Sequence, residues 1–378
     1  MLASRPAMNV ALALFRYFPH GGMQRDLAAT ARLLRDRGHE VTVFCHTLDG
    51  SPPTDVEVEV LPAPGRSNHS RARAFARALE HRLSVRRPDV VVGFDKMPGL
   101  DLYFAADPCF VTRTADRPWP YRLTPRSRCF TALESSVFGD GGADVLLLDE
   151  RERDNYQRVY GTADARFTLL PPGVARDRRM DADAASRRAR ARAALRLEDD
   201  VFVLLHLAAN FHLKGLDRAL HALRALPEAL RAQTHILAVG EGPTDKWSRA
   251  IDRLGLSGRC TLAAARDDVP DLLQAAELLI HPARHDTTGT VLMEAVVAGL
   301  PVLCTDACGY ATRINDAGAG VVIREPFTQA ALDSALASMR AAALDPYRRA
   351  ALRYADAVDL HSMHDRVVAQ IERAATRR

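Results

Sequence analysis

The sequence predicts an α/β protein made of two Rossmann-like domains, each built on a parallel β-sheet. Three observations support this fold class. Short apolar runs alternate with helical segments, the alternation restarts after a stiff Pro171–Gly173 break, and 378 residues exceed what one ordinary core holds. Alternating strands and helices form parallel, doubly wound sheets. Ligands of such folds bind in the crevice at the carboxyl ends of the strands, which here is the cleft between the two domains.

The elements of the first domain follow the chain in order. Val10–Leu14 is the first predicted strand, a helix covers about 23–37, and Val41–Phe44 is the second strand. A helix over about 70–87 leads to the strand Val90–Phe94. After the break, which places the domain boundary near residue 171, four further strands are predicted: Val201–Leu205, Ile236–Val239, Leu278–Ile280 and Val302–Leu303.

The composition is that of an ordinary globular protein. Hydrophobic residues make up 47% and charged residues 26% of the chain, and the net charge is only +4. The arginine-rich stretch 176–196 also contains Asp177, Asp181 and Asp183, which favours a solvated helix over a nucleic-acid-binding arm. We therefore expect no nucleic-acid partner.

Cysteine use and hydropathy predict a cytoplasmic protein. The six cysteines form no CxxC pair and several lie in apolar runs, which is typical of buried, reduced thiols. No apolar run approaches 18 residues, and the N-terminus lacks the apolar region of a signal peptide. We expect no membrane span, although contact with a membrane surface stays possible.

The segment Asp286–Glu294 contains the strongest chemical pattern. An acid precedes a Thr/Gly turn, an apolar helix follows, and a second acid lies two turns into that helix. Free N–H groups in a first helical turn suit a diphosphate, and the two acids suit sugar and ribose hydroxyls. A nucleotide sugar satisfies all three features. An ordinary capped helix satisfies the spacing equally well.

Other candidate ligand-binding positions follow predicted strands. Lys214, one of only three lysines, precedes a glycine at a helix start, where an ammonium can neutralise a diphosphate. Gly21 and Gly22 allow close backbone approach to an anion, and Asp26 lies within the first turn or so of the next helix. Gly240, in the strand-end turn 239–243, suits either a nucleotide contact or a plain turn.

Several ordered motifs together resemble the retaining GT-B glycosyltransferases of family 4, in particular those that build the lipopolysaccharide core. The resemblance covers nearly the whole chain. The motifs are Tyr17–Asp26, Gly93–Asp101, Tyr103–Asp107, Leu170–Gly173, Lys214–Arg218, the acidic segment Asp286–Glu294, and Cys308–Ala311.

The resemblance implies a hexosyltransferase. It would move glucose from UDP-glucose to an inner-core heptose of lipopolysaccharide, with retention and without an essential metal or other cofactor. Residues 1–170 would bind the acceptor, 171–350 the nucleotide sugar, and helices in 351–378 would cross back to the first domain. A different UDP-hexose or acceptor, or a weakly active scaffold at the membrane surface, remains an alternative.

The resemblance also assigns roles to residues. Asp286 would contact the donor sugar, Glu294 the ribose, and Lys214 the departing UDP. Asp26 would close over the donor with the Gly21–Gly22 loop, and Asp107 would position the reacting groups. The remaining donor-binding residues would be Gly240, Arg266, Thr288, Gly289, Thr290 and Val291.

Two departures from the family pattern concern the donor. Asp286 stands where Glu is usual, so its carboxylate is one methylene shorter and the identity of the sugar is open. Leu213 stands directly before Lys214, where an arginine often accompanies the lysine. We expect either weaker diphosphate binding or another arginine that reaches the site.

The segment 110–130 interleaves basic and aromatic residues with one acid, Asp116. This pattern suits an anionic membrane surface, although an exposed loop with ordinary arginines is the alternative. Because the family's acceptor is a membrane lipid, we expect peripheral binding to the inner face of the inner membrane. The predicted membrane-binding residues are Arg113, Arg117, Trp119, Arg122, Arg126 and Arg128.

Overall fold

A computed structural model describes residues 7–18, 21–51, 56–240 and 244–377. The chain forms two compact units. The first consists of Met1–Pro171 with Ser362–Arg378, and the second of Pro172–His361. The first division therefore falls between the two prolines that follow Leu170.

The first unit contains a parallel sheet with the strand order β3-β2-β1-β4-β5-β6-β7. Its strands are β1 (Asn9–Tyr17), β2 (Glu40–Leu48), β3 (Glu57–Val60), β4 (Val90–Gly93), β5 (Leu102–Ala105), β6 (Asp144–Leu147) and β7 (Phe167–Leu169). Its first helices are α1 (Gly22–Asp36), α2 (Asn68–Val85), α3 (Phe110–Arg113), α4 (Pro125–Phe138) and α5 (Arg151–Tyr160). Short 3₁₀ turns cover Trp119–Leu123 and Asp164–Arg166.

The amphipathic pattern of α1 shows why these helices cover the sheet. Leu27, Ala31 and Leu34 recur at helical spacing and are buried with the strand residues of the core. The strands β1 and β4 are buried along most of their length, as expected for a parallel sheet with helices on both faces.

The second unit contains a parallel sheet with the order β10-β9-β8-β11-β12-β13. Its strands are β8 (Phe202–Ala208), β9 (Thr234–Gly240), β10 (Cys260–Ala263), β11 (Leu278–His281), β12 (Val302–Thr305) and β13 (Gly320–Ile323). Its helices are α6 (Ala184–Ala194), α7 (Leu216–Ala225), α8 (Glu228–Ala232), α9 (Thr244–Arg253), α10 (Val269–Ala275), α11 (Thr290–Val297), α12 (Ala311–Ala317), α13 (Gln329–Ala341) and α14 (Asp345–Ala357). A 3₁₀ turn covers Arg176–Arg178.

The C-terminal residues divide between the two units, which corrects the prediction that 351–378 crosses back as one segment. The last helix, α15 (Met363–Thr376), packs on α1, and its Val367, Val368 and Ile371 join the first core. Residues 351–361 stay with the second unit, because α14 packs on α11 and α12 and buries Ala351 there. The crossing lies between His361 and Ser362.

The arginine-rich helix α6 is only partly solvated. Arg192 is 2% exposed and donates to the carbonyl of Ala275 at 2.9 Å, and Arg188 and Arg192 both pair with Glu277. The prediction of a solvated helix face is therefore wrong for these two arginines. Both secure α6 to the end of α10.

Among the described residues, the six cysteines are free thiols. No helix in the described ranges is long and apolar enough to cross a bilayer.

Candidate active site

The loop between β11 and α11 contains the predicted acidic motif. Gly289 ends the loop in the left-handed conformation, with φ 71°, and α11 begins at the next residue. The backbone N–H of Gly289 donates to Asp286 Oδ1 at 3.0 Å. The hydroxyl oxygens of Thr288 and Thr290 lie 3.2 Å apart. The loop thus folds around the carboxylate of Asp286 immediately before the helix start.

Asp286 forms a charged cluster with Lys214 and His281, which we call the Asp286 cluster. Lys214 Nζ lies 2.7 Å and His281 Nε2 3.0 Å from Asp286 Oδ2. Burial alone would raise the pKa of Asp286, but the hydrogen bond from His281 and the positive charge of Lys214 outweigh it and hold this pKa well below its usual value. Asp286 is therefore a carboxylate across the physiological pH range.

Gly215 allows the Lys214 loop to approach the β11–α11 loop. It has φ 82°, and a Cβ atom at this position would lie 2.1 Å from the carbonyl oxygen of Pro282. The backbone N–H of Arg284 donates to Leu213 O at 2.9 Å, and Lys214 Nζ donates to His285 O at 3.5 Å. The two loops are joined by backbone as well as by the ion pair.

Arg284 is the arginine that lies beside Lys214 in the absence of one at position 213. Its guanidinium donates to both carboxylate oxygens of Asp217, at 2.6 and 2.8 Å, and to the carbonyl of His212. This bidentate pair uses the guanidinium to fix the start of α7. The prediction that another arginine reaches the diphosphate site therefore stays a prediction, because the guanidinium of Arg284 is engaged with Asp217 and His212.

Glu294 lies in the second turn of α11 and is 8% exposed. Every residue from Leu292 to Val297 is buried, so α11 is a central helix with a single acid among apolar residues. Arg178 Nε lies 3.9 Å from Glu294 Oε1, and Arg178 also pairs with Asp177. Arg178 is a neighbour of Glu294 that the sequence did not reveal.

Two other predicted donor-binding residues have structural partners. Gly240 ends β9 with φ 153°, and a Cβ atom would lie 1.7 Å from the carbonyl oxygen of Ala208. Packing is by itself a sufficient reason for glycine at position 240. Arg266 donates to both oxygens of Asp268, at 2.7 and 2.5 Å. Residues 241–243, which follow Gly240 in the predicted strand-end turn, lie outside the described residues.

His206 and His281 form a buried pair that sequence reasoning missed. Their rings stack with centroids 6.0 Å apart, and His206 Nδ1 lies 2.9 Å from the carbonyl oxygen of Ile280. Burial, reinforced by His281, lowers the pKa of His206 to about 3, so its ring is neutral. The only signal in the sequence is a polar residue within each of two apolar strands.

His281, Asp286 and Cys308 each place one possible metal-ligand atom within 4.8 Å of the others. The donor set is nevertheless a poor fit to a divalent cation. Lys214 Nζ is already bonded to Asp286, and burial raises the pKa of the Cys308 thiol well above its usual value, with a further contribution from Asp286. The positive charge at this carboxylate comes from lysine.

In the first unit, α1 begins directly after Gly21. A Cβ atom on Gly21 would lie 1.8 Å from Gln24 Oε1, whereas one on Gly22 would meet no atom within 4 Å. Asp26 is the fifth residue of the helix and therefore lies in its second turn, slightly later than predicted. Its Oδ1 lies 3.2 Å from His364 Nε2 on α15. Residues 19 and 20 of the same motif lie outside the described residues.

Asp107 follows β5 and lines a cavity of about 240 Å³ in the first unit. We call it the first-unit cavity. Its acids are Asp95 and Asp107, and its other lining residues are Phe15, Asn68, Ala72, Phe75, Lys96, Met97, Pro108, Phe110, Arg113, Arg126, Phe130 and Leu133. Burial, then the negative charge of Asp107, raises the pKa of Asp95 to about 6. The two carboxylates thus lie close enough to repel each other.

A buried carboxylate, Glu134, fixes the backbone that follows Asp107. It accepts hydrogen bonds from Lys96 Nζ at 2.5 Å, from the N–H of Phe110 at 2.7 Å and from Tyr160 Oη at 2.7 Å. Tyr156 Oη donates to the carbonyl of Asp107 itself at 2.9 Å. In the sequence Glu134 is the single acid of its helix, with no partner at helical spacing, so nothing there indicated this role.

The predicted membrane-binding residues occupy two different environments. All five arginines are exposed, but Arg113 and Arg126 line the first-unit cavity, whereas Arg117, Arg122 and Arg128 are not part of its lining. Trp119 lies in the 3₁₀ turn Trp119–Leu123 and is 72% exposed. The uniform basic–aromatic pattern of the sequence thus separates into a cavity-lining part and an outer part.

Comparison with known proteins identifies the family. Residues 187–355 match the model of glycosyl transferases group 1, and residues 20–178 match the model of glycosyltransferase family 4. The chain is 38% identical to the lipopolysaccharide glucosyltransferase WaaG of Escherichia coli, with 95% of this chain and 97% of WaaG aligned. The chain belongs to this glycosyltransferase family.

Solved structures agree with this assignment. A crystal structure of WaaG, described as a glycosyltransferase involved in lipopolysaccharide biosynthesis, matches with a TM-score of 0.92 at 37% identity, covering 96% of this chain and 99% of that one. Anabaena HepE in complex with UDP and glucose matches with a TM-score of 0.74 at 18% identity, over 96% of this chain and 99% of HepE, which supports the fold alone. The fold is GT-B and the protein is a glycosyltransferase, as the sequence predicted.

Proposed function

We propose that this enzyme transfers glucose from UDP-glucose to a heptose of the lipopolysaccharide core with retention of configuration. The observation that supports the proposal most directly is the Asp286 cluster at the start of α11, in a chain related over 95% of its length to a lipopolysaccharide glucosyltransferase. In this proposal the second unit binds the donor and the first unit binds the acceptor.

The start of α11 would bind the diphosphate and the glucose. N–H groups of a first helical turn are donors at the positive end of the helix dipole, and Thr288, Gly289, Thr290 and Val291 form this turn and its approach. Glu294, one further turn along, would accept hydrogen bonds from the ribose. Because Glu294 lies among buried apolar residues, its side chain has few orientations, which favours a directional hydrogen bond.

Lys214 would stabilise the negative charge that develops on UDP as the glycosidic bond breaks. A fixed cation is worth most where the surroundings exclude water, and the side chain of Lys214 is 17% exposed. Because lysine supplies this charge, we propose that no metal ion is essential. Asp286, which His281 positions, would hold the ammonium in place, and the remaining acceptor capacity of its carboxylate would meet the sugar hydroxyls.

Asp26 and the Gly21–Gly22 loop, which belong to the first unit, would close over the donor, and Asp107 would position the reacting groups. Asp107 is exposed, while its backbone is fixed through Tyr156, so its carboxylate is available to a ligand on a rigid support. We assign it the positioning of the acceptor and not a covalent step.

A donor panel tests this function. The purified chain would be assayed with core lipopolysaccharide as acceptor and UDP-glucose, UDP-galactose, UDP-N-acetylglucosamine or GDP-mannose as donor, following nucleotide release and product mass. We expect UDP-glucose to exceed the other donors in kcat/KM by at least about tenfold and to give an α-linked product. If another donor gives a higher kcat/KM, that sugar replaces glucose in the proposal, and the protein remains a hexosyltransferase. This is the alternative that Asp286 leaves open. Failure with every donor, for protein that still binds UDP, would contradict the enzyme assignment.

We further propose that the outer part of segment 110–130 contacts an anionic membrane surface on the cytoplasmic side. Trp119 and Leu123 expose apolar area in one 3₁₀ turn, and exposed arginines surround them. Basic side chains that flank exposed aromatic residues suit the headgroup region of an anionic bilayer. The family relationship to a lipopolysaccharide enzyme makes a membrane lipid the natural occupant.

Liposome flotation tests this surface. Glutamate substitutions at Arg117, Arg122 and Arg128 should reduce binding to anionic vesicles by about a hundredfold, since each arginine contributes about 1 kcal/mol, roughly a fivefold factor. The matched control carries the same substitutions at three exposed arginines elsewhere in the first unit: Arg77, Arg86 and Arg158. Equal binding by the two triple variants would contradict a specific surface.

A further inference from the structure

We infer that the first-unit cavity recognises an acceptor sugar that carries a negatively charged substituent, with Arg113 and Arg126 as the residues that bind the anion. The inference rests on the proposed function, because it assigns the acceptor to this cavity. Its starting point is the mixed charge of the lining, where two carboxylates and two guanidiniums face one space of about 240 Å³.

Each of the two arginines lies over the ring of a phenylalanine, and the two rings are neighbours. Arg113 Cζ lies 5.9 Å from the ring centroid of Phe110, and Arg126 Cζ lies 5.0 Å from that of Phe130. The two phenylalanine rings are themselves 5.5 Å apart. Stacking of this kind orients the guanidiniums without consuming their hydrogen-bond donors. Both groups therefore present free N–H donors to the same opening.

The charges of these arginines are not neutralised within the described part of the chain. Neither Arg113 nor Arg126 forms an ion pair there, whereas Lys96, the other cation of the lining, is bonded to the buried Glu134. Arginine recognises phosphate and carboxylate through paired N–H donors, so an oxyanion is the ligand that these two residues fit.

The acids of the same cavity would bind the uncharged part of the ligand. Asp95 Oδ2 accepts one hydrogen bond from the N–H of Phe15 at 2.6 Å, and the rest of its acceptor capacity, with that of Asp107, is directed at neutral donors such as sugar hydroxyls. A neutral sugar would leave the arginines unused, and a simple anion would be repelled by the acids. A sugar bearing an anionic group satisfies both.

Binding to soluble core oligosaccharide in the absence of donor tests the inference. Isothermal titration would compare a phosphorylated oligosaccharide, the same material after phosphatase treatment, and the same material after reduction of its carboxyl groups. Removal of the recognised anion should weaken binding to the wild-type protein by roughly tenfold or more, and R113Q and R126Q should each weaken binding of the intact ligand to a similar degree. Whichever treatment has this effect identifies the anion as phosphate or carboxylate.

The double variant and a matched control decide the outcome. In the R113Q/R126Q protein, removal of the anion should cost less than twofold, whereas R77Q, which changes an exposed arginine of α2, should behave as wild type. Equal wild-type affinity for all three ligands, or arginine variants that lose affinity for each ligand alike, would overturn the inference. Because no donor is present, these results are independent of whether the enzyme uses UDP-glucose.

Discussion

The carboxylate of the Asp286 cluster and the carboxylates of the first-unit cavity have opposite electrostatic surroundings. Asp286 accepts hydrogen bonds from Lys214, His281 and a backbone N–H, and its pKa is held well below the usual value. Asp95 has a backbone N–H as a partner and another carboxylate nearby, and its pKa is raised to about 6. The Asp286 cluster thus pairs its carboxylate before any ligand arrives, whereas the first-unit cavity leaves the carboxylates of Asp95 and Asp107 for a ligand to satisfy.

This difference suits the two substrates that we propose. A nucleotide diphosphate is a permanent dianion, so a prearranged cation lowers the barrier without further reorganisation. A sugar acceptor offers many weak donors, and open carboxylates allow several of them to be bound at once. Variants of the Asp286 cluster should therefore change different measured quantities from variants of the first-unit cavity.

The largest effect is expected from Lys214→Gln, which removes the prearranged cation. Loss of the charge should lower kcat/KM for UDP-glucose by about 10²–10³-fold. Steady-state nucleotide release measures this, with Lys246→Gln as the control, because Lys246 is an exposed lysine of the same unit. A fall of less than about fivefold would mean that the Asp286 cluster does not stabilise the leaving group.

The next effect concerns stability and the open carboxylate of Asp95. Its pKa in the folded protein, about 6, lies above the ordinary value of 3.8. The folded state therefore binds the proton more tightly, and this contribution to the unfolding free energy is complete below pH 4 and is lost as pH rises through 6. Asp95→Asn keeps an acceptor for Phe15 and should gain about 2–3 kcal/mol of relative stability between pH 4 and pH 8.

Urea denaturation of the wild-type protein and the Asp95→Asn variant at pH 4, 6 and 8 measures this difference. Asp116→Asn, the same change at an exposed acid of the same unit, is the control for the substitution itself. A constant difference between Asp95→Asn and wild type at all three pH values would show that Asp95 titrates normally.

The sequence predicted the residues around the start of α11 better than those of the first-unit cavity. Residue type and spacing singled out Asp286 and Lys214 because each follows a predicted strand, and parallel strands bring such positions to one edge of a sheet. Glu294 was singled out because it lies two turns into the helix that follows Asp286. Alternation of strands and helices likewise predicted both sheets. Local pattern was sufficient for these features.

The remaining features depend on long-range packing. His206 and His281 look like strand residues until neighbouring strands place their rings together. Arg113 and Arg126 share their pattern with the arginines beside them, and only the packing of α3 on α4 separates the two groups. Glu134 gains its role from residues 23 to 38 positions away. No spacing rule in a single sequence encodes such contacts.

A smaller effect is expected from His281→Gln. The histidine supports Asp286 from a buried position, so its replacement should loosen the carboxylate and reduce kcat/KM by about tenfold, less than loss of Lys214. The change should appear mainly in kcat, since the charge of Lys214 remains. A KM effect for UDP-glucose of the same size would indicate that His281 shapes the ground-state complex instead.

The smallest effect is expected from His364→Gln, which tests whether Asp26 depends on its contact with His364. His364 supports Asp26 at 3.2 Å, but the two side chains are 22% and 24% exposed. Ion pairs with this much solvent contact contribute about 1 kcal/mol or less, so kcat/KM should fall by no more than about fivefold. Asp26→Asn, which alters the acid itself, should reduce it considerably more. Equal losses in the two variants would show that Asp26 acts only while it contacts His364, and Asp26 would then be prearranged in the same sense as Asp286.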